Sequence, residues 1–228
     1  MEATHIKDNL NRITEQIEAV CKRTGQNPAA IQIVAASKFR SIECLRMLAE
    51  DGRIAAFGEN RVQEWQSKYD PALTWDMIGR LQTNKVKYLV GKVRLIQSVD
   101  RMSLAEEINR IAAMRGVRQN VLIEINSGEE EAKGGIVAEA AGEFWQQLQT
   151  LPALQTAGLM AVAPFGIERA ELKKLFEKVR RAYEEIAARD ARCKILSMGM
   201  SHDLELALEC GSNMVRPGRL LFDPAQVL

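Results

Sequence analysis

Eight short apolar runs, each followed by a stretch of helical periodicity, recur along the chain and constrain its fold more than any other feature. The runs span residues 31–36, 54–57, 75–78, 95–99, 121–125, 156–162, 195–198 and 214–216, and several are rich in β-branched side chains. Between them apolar residues return at spacings of three and four, as in Ile42, Leu45 and Leu48, or Leu104, Ile108 and Ile111. The clearest such stretch carries Leu172, Leu175, Phe176, Val179, Tyr183 and Ile186. Strands separated by helices run parallel, because the chain must cross back over a helix before each strand can start again in the same direction. Eight such units close into a (β/α)8 TIM barrel, and the open doubly wound sheet is the alternative. At 228 residues the chain is short for a barrel and near the upper limit of one hydrophobic core, so a single domain over 1–228 is predicted. A first helix bearing Ile6, Leu10, Ile13, Ile17 and Val20 is expected to cover the gap beside the short last unit.

Composition removes several function classes. Thirty-one Lys and Arg against thirty Asp and Glu leave a net charge of +1, which gives no electrostatic case for nucleic acid or an anionic membrane surface. The longest apolar run, residues 158–167, is interrupted by Gly and Pro and is too short to span a bilayer. The N-terminus has neither the basic start nor the apolar stretch of a signal peptide, so a cytoplasmic protein is expected. Cys21, Cys44, Cys193 and Cys210 form no CxxC pair and read as reduced, mostly packed thiols. With His5 and His202 the only histidines, a His-rich metal site is excluded.

In a barrel, functional side chains come from the loops that follow the strands. Those positions hold Lys38, Asn60, residues 79–82, Ser98, Asn126, Met160, Ser201 and residues 216–219, with no carboxylate pair among them. A lysine at the end of an apolar strand can be desolvated, which exposes the nucleophilic amine that imine formation requires. The other reading of Lys38 is a snorkelling surface lysine. The segment Ser197-Met198-Gly199-Met200-Ser201 precedes a helix, where free backbone N–H groups suit a phosphate. Capping of that helix by Ser201 explains the same pattern. Arg216-Pro217-Gly218-Arg219 follows the eighth run, and barrels commonly bind phosphate in the loops after strands seven and eight. A reactive lysine with a phosphate cradle calls for a phosphorylated aldehyde, either pyridoxal 5′-phosphate or a sugar phosphate in a Schiff-base aldolase. Glu129-Glu130-Glu131 with Lys133 reads as a solvated loop, and Trp65 and Trp145 as packing residues.

The motifs also occur in a known order. Ala35-Ala36-Ser37-Lys38, Phe57-Gly58-Glu59-Asn60, and Ile78-Gly79-Arg80-Leu81-Gln82-Thr83-Asn84-Lys85 are followed by Ser98-Val99-Asp100 and Asn126-Ser127-Gly128-Glu129. Gly158-Leu159-Met160-Ala161, Leu196-Ser197-Met198-Gly199-Met200-Ser201 and Met214-Val215-Arg216 complete the set. From about residue 31 to residue 222 the chain resembles the pyridoxal phosphate homeostasis proteins, also called the proline synthetase co-transcribed family. These are relatives of the alanine racemase barrel.

The resemblance implies a cofactor, pyridoxal 5′-phosphate, held by Lys38 as an internal aldimine. It further implies that Asn60, Ser98 and Met160 line the ring pocket, that Ser201 and Gly218 bind the phosphate, and that Arg216 lies near the pyridine nitrogen. An arginine there does not readily protonate that nitrogen, so the ring is a weaker electron sink than one paired with a carboxylate. Departures from the family pattern are Phe39 and Arg219 in place of threonine, Asp76 in place of histidine, and Pro217 in place of an apolar residue. Racemases of this barrel type use a tyrosine from an added β-domain. This chain runs to Leu228 with Tyr69, Tyr88 and Tyr183 all reading as helix residues, so a non-catalytic carrier is expected. The alternative is an amino-acid racemase or decarboxylase of weak activity. The expected role is vitamin B6 and amino-acid homeostasis, as a monomer or weak dimer in transient contact with pyridoxal-phosphate-dependent apo-enzymes.

Overall fold

The computed structural model describes residues 2–126, 134–164 and 166–224. The acidic run at 129–131 and Lys133 lie outside the described residues. A first helix, α1 (Glu2–Thr24), precedes the alternating units β1 (Gln32–Ala36), α2 (Ile42–Ala49), β2 (Ile54–Glu59), α3 (Val62–Lys68), β3 (Trp75–Met77) and α4 (Val86–Leu89). These continue as β4 (Leu95–Val99), α5 (Met102–Met114), β5 (Gln119–Ile125), α6 (Ala141–Leu148), β6 (Leu154–Ala161) and α7 (Arg169–Ala187). The chain then forms β7 (Ile195–Ser197), α8 (Leu204–Glu209), β8 (Met214–Val215) and α9 (Arg219–Phe222). All pairings are parallel and run β1 to β8 in chain order, with β8 returning to β1 through Gln32–Met214 and Ile33–Val215. This is the closed barrel expected from the alternation, and the open sheet is excluded.

The alternation of side chains along each strand divides the core into two layers. Phe57, Trp75, Met77, Ile96, Ile123 and Leu159 belong to the large cluster beneath the helices. Val34, Ala36, Ala56, Ile78, Leu95, Leu122, Met160 and Met214 form a separate cluster inside the barrel. Trp65 and Trp145 are buried packing residues, as expected from their helical spacing. All four cysteines are free thiols, three of them buried and Cys44 partly so. Among the described residues no helix is long and apolar enough to cross a membrane.

Strand β2 runs two residues beyond the apolar run read from sequence, taking in Gly58 and Glu59. A carboxylate is an improbable strand residue on propensity alone. Glu59 is held there because its side chain is fully buried against Lys68 of α3, with Nζ 2.7 Å from Oε1. Helix α1 lies over α8 and α9, and Asn9 Nδ2 donates to the carbonyls of Leu221 at 3.1 Å and Asp223 at 2.8 Å. It thus closes the side of the barrel served by the short last unit.

Candidate functional site

Parallel strands place their C-terminal ends at one mouth of the barrel, so the residues that follow them converge there. Ala36 N–H donates to the Pro217 carbonyl at 2.9 Å, which ties the loop after β8 to the end of β1. Ser201, in the loop after β7, accepts through Oγ from the N–H of Gly218 at 3.2 Å and of Leu220 at 3.0 Å. These bonds remove the capping reading of Ser201. It does not cap α8, whose N-cap is Asp203, but joins the backbone donors of the loop after β8. Gly199 permits this turn: its φ is 94°, and a Cβ there would sit 2.7 Å from the Ala207 methyl. Ser201, His202, Arg219 and Leu220 line a cavity of about 370 Å3, and Arg219 lies against the His202 imidazole beside Ser201.

Lys38 follows β1 on a turn and is exposed, with Nζ 5.6 Å from the centroid of the Phe39 ring. Of the two readings of Lys38, the exposed side chain agrees with the surface lysine and not with the desolvated one. The chain turns after Ser37, and Phe39 takes φ 63°, a left-handed conformation uncommon for a bulky residue. Its N–H donates to Glu64 Oε1, and Lys68 Nζ donates to the carbonyl of Ser37 at 2.8 Å and of Arg40 at 3.4 Å. Ser37 Oγ in turn donates to Glu59 Oε1 at 2.5 Å. The lysine turn is thus built on a charged cluster from β2 and α3.

Arg216 is buried just beyond β8, donating through Nη1 to Ser197 Oγ at 2.5 Å and through Nη2 to the Ala161 carbonyl at 2.7 Å. Ser98 is buried, its hydroxyl donating to the Gly79 carbonyl at 2.7 Å. Met160 is buried in the interior layer. Asn60 is exposed at the rim, and a Cβ on Gly79 would come within 2.4 Å of the Asn60 carbonyl, so only glycine fits between these loops. Asn60 and Gly79 line a second cavity of about 1230 Å3 whose walls include Arg61, Arg80 and Arg101. The structure thus brings Ser201 and Gly218 together, holds Arg216 against Ser197 and the Ala161 carbonyl, and groups Asn60 and Ser98 around Gly79.

Two carboxylates outside the loop positions read from sequence also bear on this end of the barrel. Asp100 follows β4 and Glu124 is the penultimate residue of β5. Burial, then the neighbouring Asp100 charge, push the Glu124 carboxyl up to about 7 against the pull of Arg216 and Arg80. Its Oε2 is inaccessible and has no hydrogen-bond partner among the described residues. Gln97 was also missed, and Ser197, although part of the segment before α8, was not read as its partner. The signal was present in Leu95-Ile96-Gln97-Ser98-Val99 and Val121-Leu122-Ile123-Glu124-Ile125, where a polar residue interrupts a run otherwise fit for full burial.

Glu124 makes stability pH-dependent with a definite sign. Near ~pH 4 the carboxyl is protonated in the folded protein and largely so in the unfolded chain, and no charge is buried. From the ordinary carboxylate range up to about 7 the unfolded chain is ionised while the folded protein still holds the proton, so stability falls across that window and levels off above it. Glu124→Gln removes the cost and is expected to stabilise by on the order of 2–3 kcal/mol near ~pH 8 but little near ~pH 4. Urea midpoints of parent and variant at the two pH values check this, and equal differences at both would contradict it.

The sequence matches the alanine racemase N-terminal domain family over residues 8–225. It is 42% identical over 220 residues to the pyridoxal phosphate homeostasis protein of Aquifex aeolicus, covering 94% of this chain and 96% of that one. The protein of the same name from Escherichia coli is 32% identical over 228 residues, with 95% of each covered. The chain belongs to the pyridoxal phosphate homeostasis protein family. PipY of Synechococcus elongatus, solved with pyridoxal phosphate bound, superposes with a TM-score of 0.77 at 33% identity, covering 92% of this chain and 99% of PipY. An alanine racemase of Clostridium difficile shares the fold at a TM-score of 0.74 and 17% identity, and this chain spans 56% of its length. The homeostasis-protein fold is thus a single racemase-type TIM barrel.

Proposed function

We propose that this protein holds pyridoxal 5′-phosphate at the barrel mouth, attached through the amine of Lys38, and thereby supports pyridoxal phosphate and amino-acid homeostasis without sustained turnover. The observation that carries this reading is the meeting of Ser201 Oγ with the N–H groups of Gly218 and Leu220. These N–H groups now donate to Ser201 Oγ; a phosphate would replace that oxygen as their acceptor and itself accept from the freed hydroxyl, a donor set suited to an anion in the loops after β7 and β8. With Arg216 beyond β8 and Lys38 on the adjoining strand end, the residues fit a phosphorylated pyridine aldehyde. When bound, the cofactor supplies an electrophilic aldehyde and an electron-withdrawing ring.

Each residue then has a defined task. Lys38 supplies the amine, and its exposed turn leaves the attachment open to exchange. Ser201 and Gly218 bind the phosphate, Arg216 fixes the ring edge, and Asn60, Ser98 and Met160 bound the ring pocket. Among the described residues no tyrosine stands at the mouth. Tyr69 packs on Trp65 at 4.6 Å between centroids, Tyr88 lies in α4 and Tyr183 in α7. The carrier reading uses no second proton donor on the ring. The open lysine turn also suits transfer to apo-enzymes in transient contact, from a cytoplasmic monomer or weak dimer.

A visible absorbance spectrum before and after borohydride, with peptide mapping of the reduced adduct, tests the attachment. Label on Lys38 supports the reading, and label elsewhere contradicts it. Sustained turnover of an amino acid that is lost in Lys38→Ala would establish an enzyme instead. Ser201→Ala is expected to weaken pyridoxal phosphate binding about 10-fold, the worth of one charge-assisted hydrogen bond. Binding of pyridoxal, which lacks the phosphate, should be unchanged, and an equal loss for both would remove Ser201 from the phosphate site.

A further inference from the structure

Four polar side chains inside the barrel form a directed chain that ends on Arg216. Asp76 on β3 is fully buried, and its carboxylate accepts from Arg94 Nε at 2.9 Å and Nη2 at 2.6 Å. It also accepts from Gln97 Nε2 at 2.8 Å. The other end of the Gln97 amide, Oε1, accepts from Ser197 Oγ at 2.8 Å, and Ser197 Oγ accepts from Arg216 Nη1 at 2.5 Å. Strands β4 and β7 are not neighbours in the sheet, so the Gln97–Ser197 bond spans the interior.

We propose that Gln97 and Ser197 are positioning residues for the cofactor, acting through Arg216 in an orientation imposed by Asp76. This inference rests on the reading that Arg216 meets the cofactor ring. A carboxylate only accepts hydrogen bonds, so it compels Gln97 to present its NH2 end downward. The amide oxygen then faces Ser197 and takes the hydroxyl proton. The lone pairs of Oγ are left for the guanidinium. Every link has one direction, and the last fixes one arm of Arg216 while the Ala161 carbonyl fixes the other. The remaining N–H groups are thereby aimed by the fold, and among the described residues no carboxylate is bonded to the guanidinium. A histidine at position 76, able to donate as well as accept, would not impose this direction. The departure at Asp76 and the chain above it therefore belong together.

Titration of cofactor-free protein with pyridoxal phosphate, followed by visible absorbance, tests the assignment. Ser197→Ala and Gln97→Leu are each expected to weaken binding about 10-fold and to move the bound-cofactor band in the same direction as Arg216→Lys. Added to Arg216→Lys, either should change affinity by about twofold or less, because the interaction it supports is already gone. Ser197→Thr, which keeps the hydroxyl, should restore the parental band. A purely structural role predicts a lower melting temperature with an unmoved band and losses that add to Arg216→Lys. That result would overturn the proposal, and Ser197→Ala serves even where Gln97→Leu fails to fold. If Arg216→Lys itself leaves band and affinity unchanged, it is the placement of the cofactor on Arg216 that fails, and the positioning role falls with it.

Discussion

Lys38→Ala is expected to abolish covalent attachment entirely: no visible band from a lysine-bound cofactor, and no borohydride-trapped label on any peptide. The phosphate contacts do not depend on this side chain. Ser201 Oγ, Gly218 N–H and Leu220 N–H are held by the loops after β7 and β8, and Arg216 by Ser197 and the Ala161 carbonyl. The variant should therefore still bind pyridoxal phosphate, as the free aldehyde and more weakly. The fold should hold, because an exposed turn residue contributes little to the core. Equilibrium dialysis with the absorbance spectrum separates the two effects. A Lys38→Ala protein that keeps full label would overturn the site, and Lys133 would be the next lysine to test.

Lys68→Met is expected to cost about 3–5 kcal/mol, because it strands a buried carboxylate. Glu59 is fully buried, Lys68 nearly so, and they meet at 2.7 Å. Burial holds the Glu59 carboxyl above its ordinary value, while its bonds to Lys68 and Ser37 pull it back down. Removing Lys68 leaves the burial and deletes the larger of those two opposing pulls. The deficit should be greatest above the ordinary carboxylate range, where the unpaired group must ionise or bind a proton from neutral solution, and should shrink in acid. Denaturant midpoints across pH read this directly. The same lysine donates to the carbonyls of Ser37 and Arg40, on either side of Lys38. Loss of stability should therefore be accompanied by slower attachment of the cofactor. Glu59→Gln in the Lys68→Met background replaces the stranded charge by a neutral amide and should recover part of the stability. Failure to recover any would mean that the lost contacts of Lys68 with the turn carbonyls, and not the bare charge, set the cost.

The barrel was legible because its cause is local. A β-branched run followed by residues recurring at three and four specifies strand then helix without reference to distant chain, and eight repetitions leave few ways to pack them. Ser201, Gly218 and Arg216 were legible as loop residues at the end of the barrel where function sits. Ser201 nevertheless carried two readings, and only its bonds to Gly218 and Leu220 removed the capping one. Lys38 was legible at the end of β1, but its surroundings were open between a desolvated and a surface lysine, and the turn at Phe39 leaves the side chain exposed.

The sequence by itself determined the order of the eight units, the polarity of the barrel and the loops that bear the candidate site. The tertiary structure alone decided which polar residues face one another. Glu59 in β2 depends on Lys68 from α3, and Gln97 bonds Ser197, 100 residues away, across an interior that exists only once β8 has closed on β1. Periodicity is set by near neighbours along the chain, whereas the energy of a buried polar group depends on the partner that closure brings to it. For this protein the fold could be read residue by residue, and the electrostatics of its mouth only after the barrel had closed.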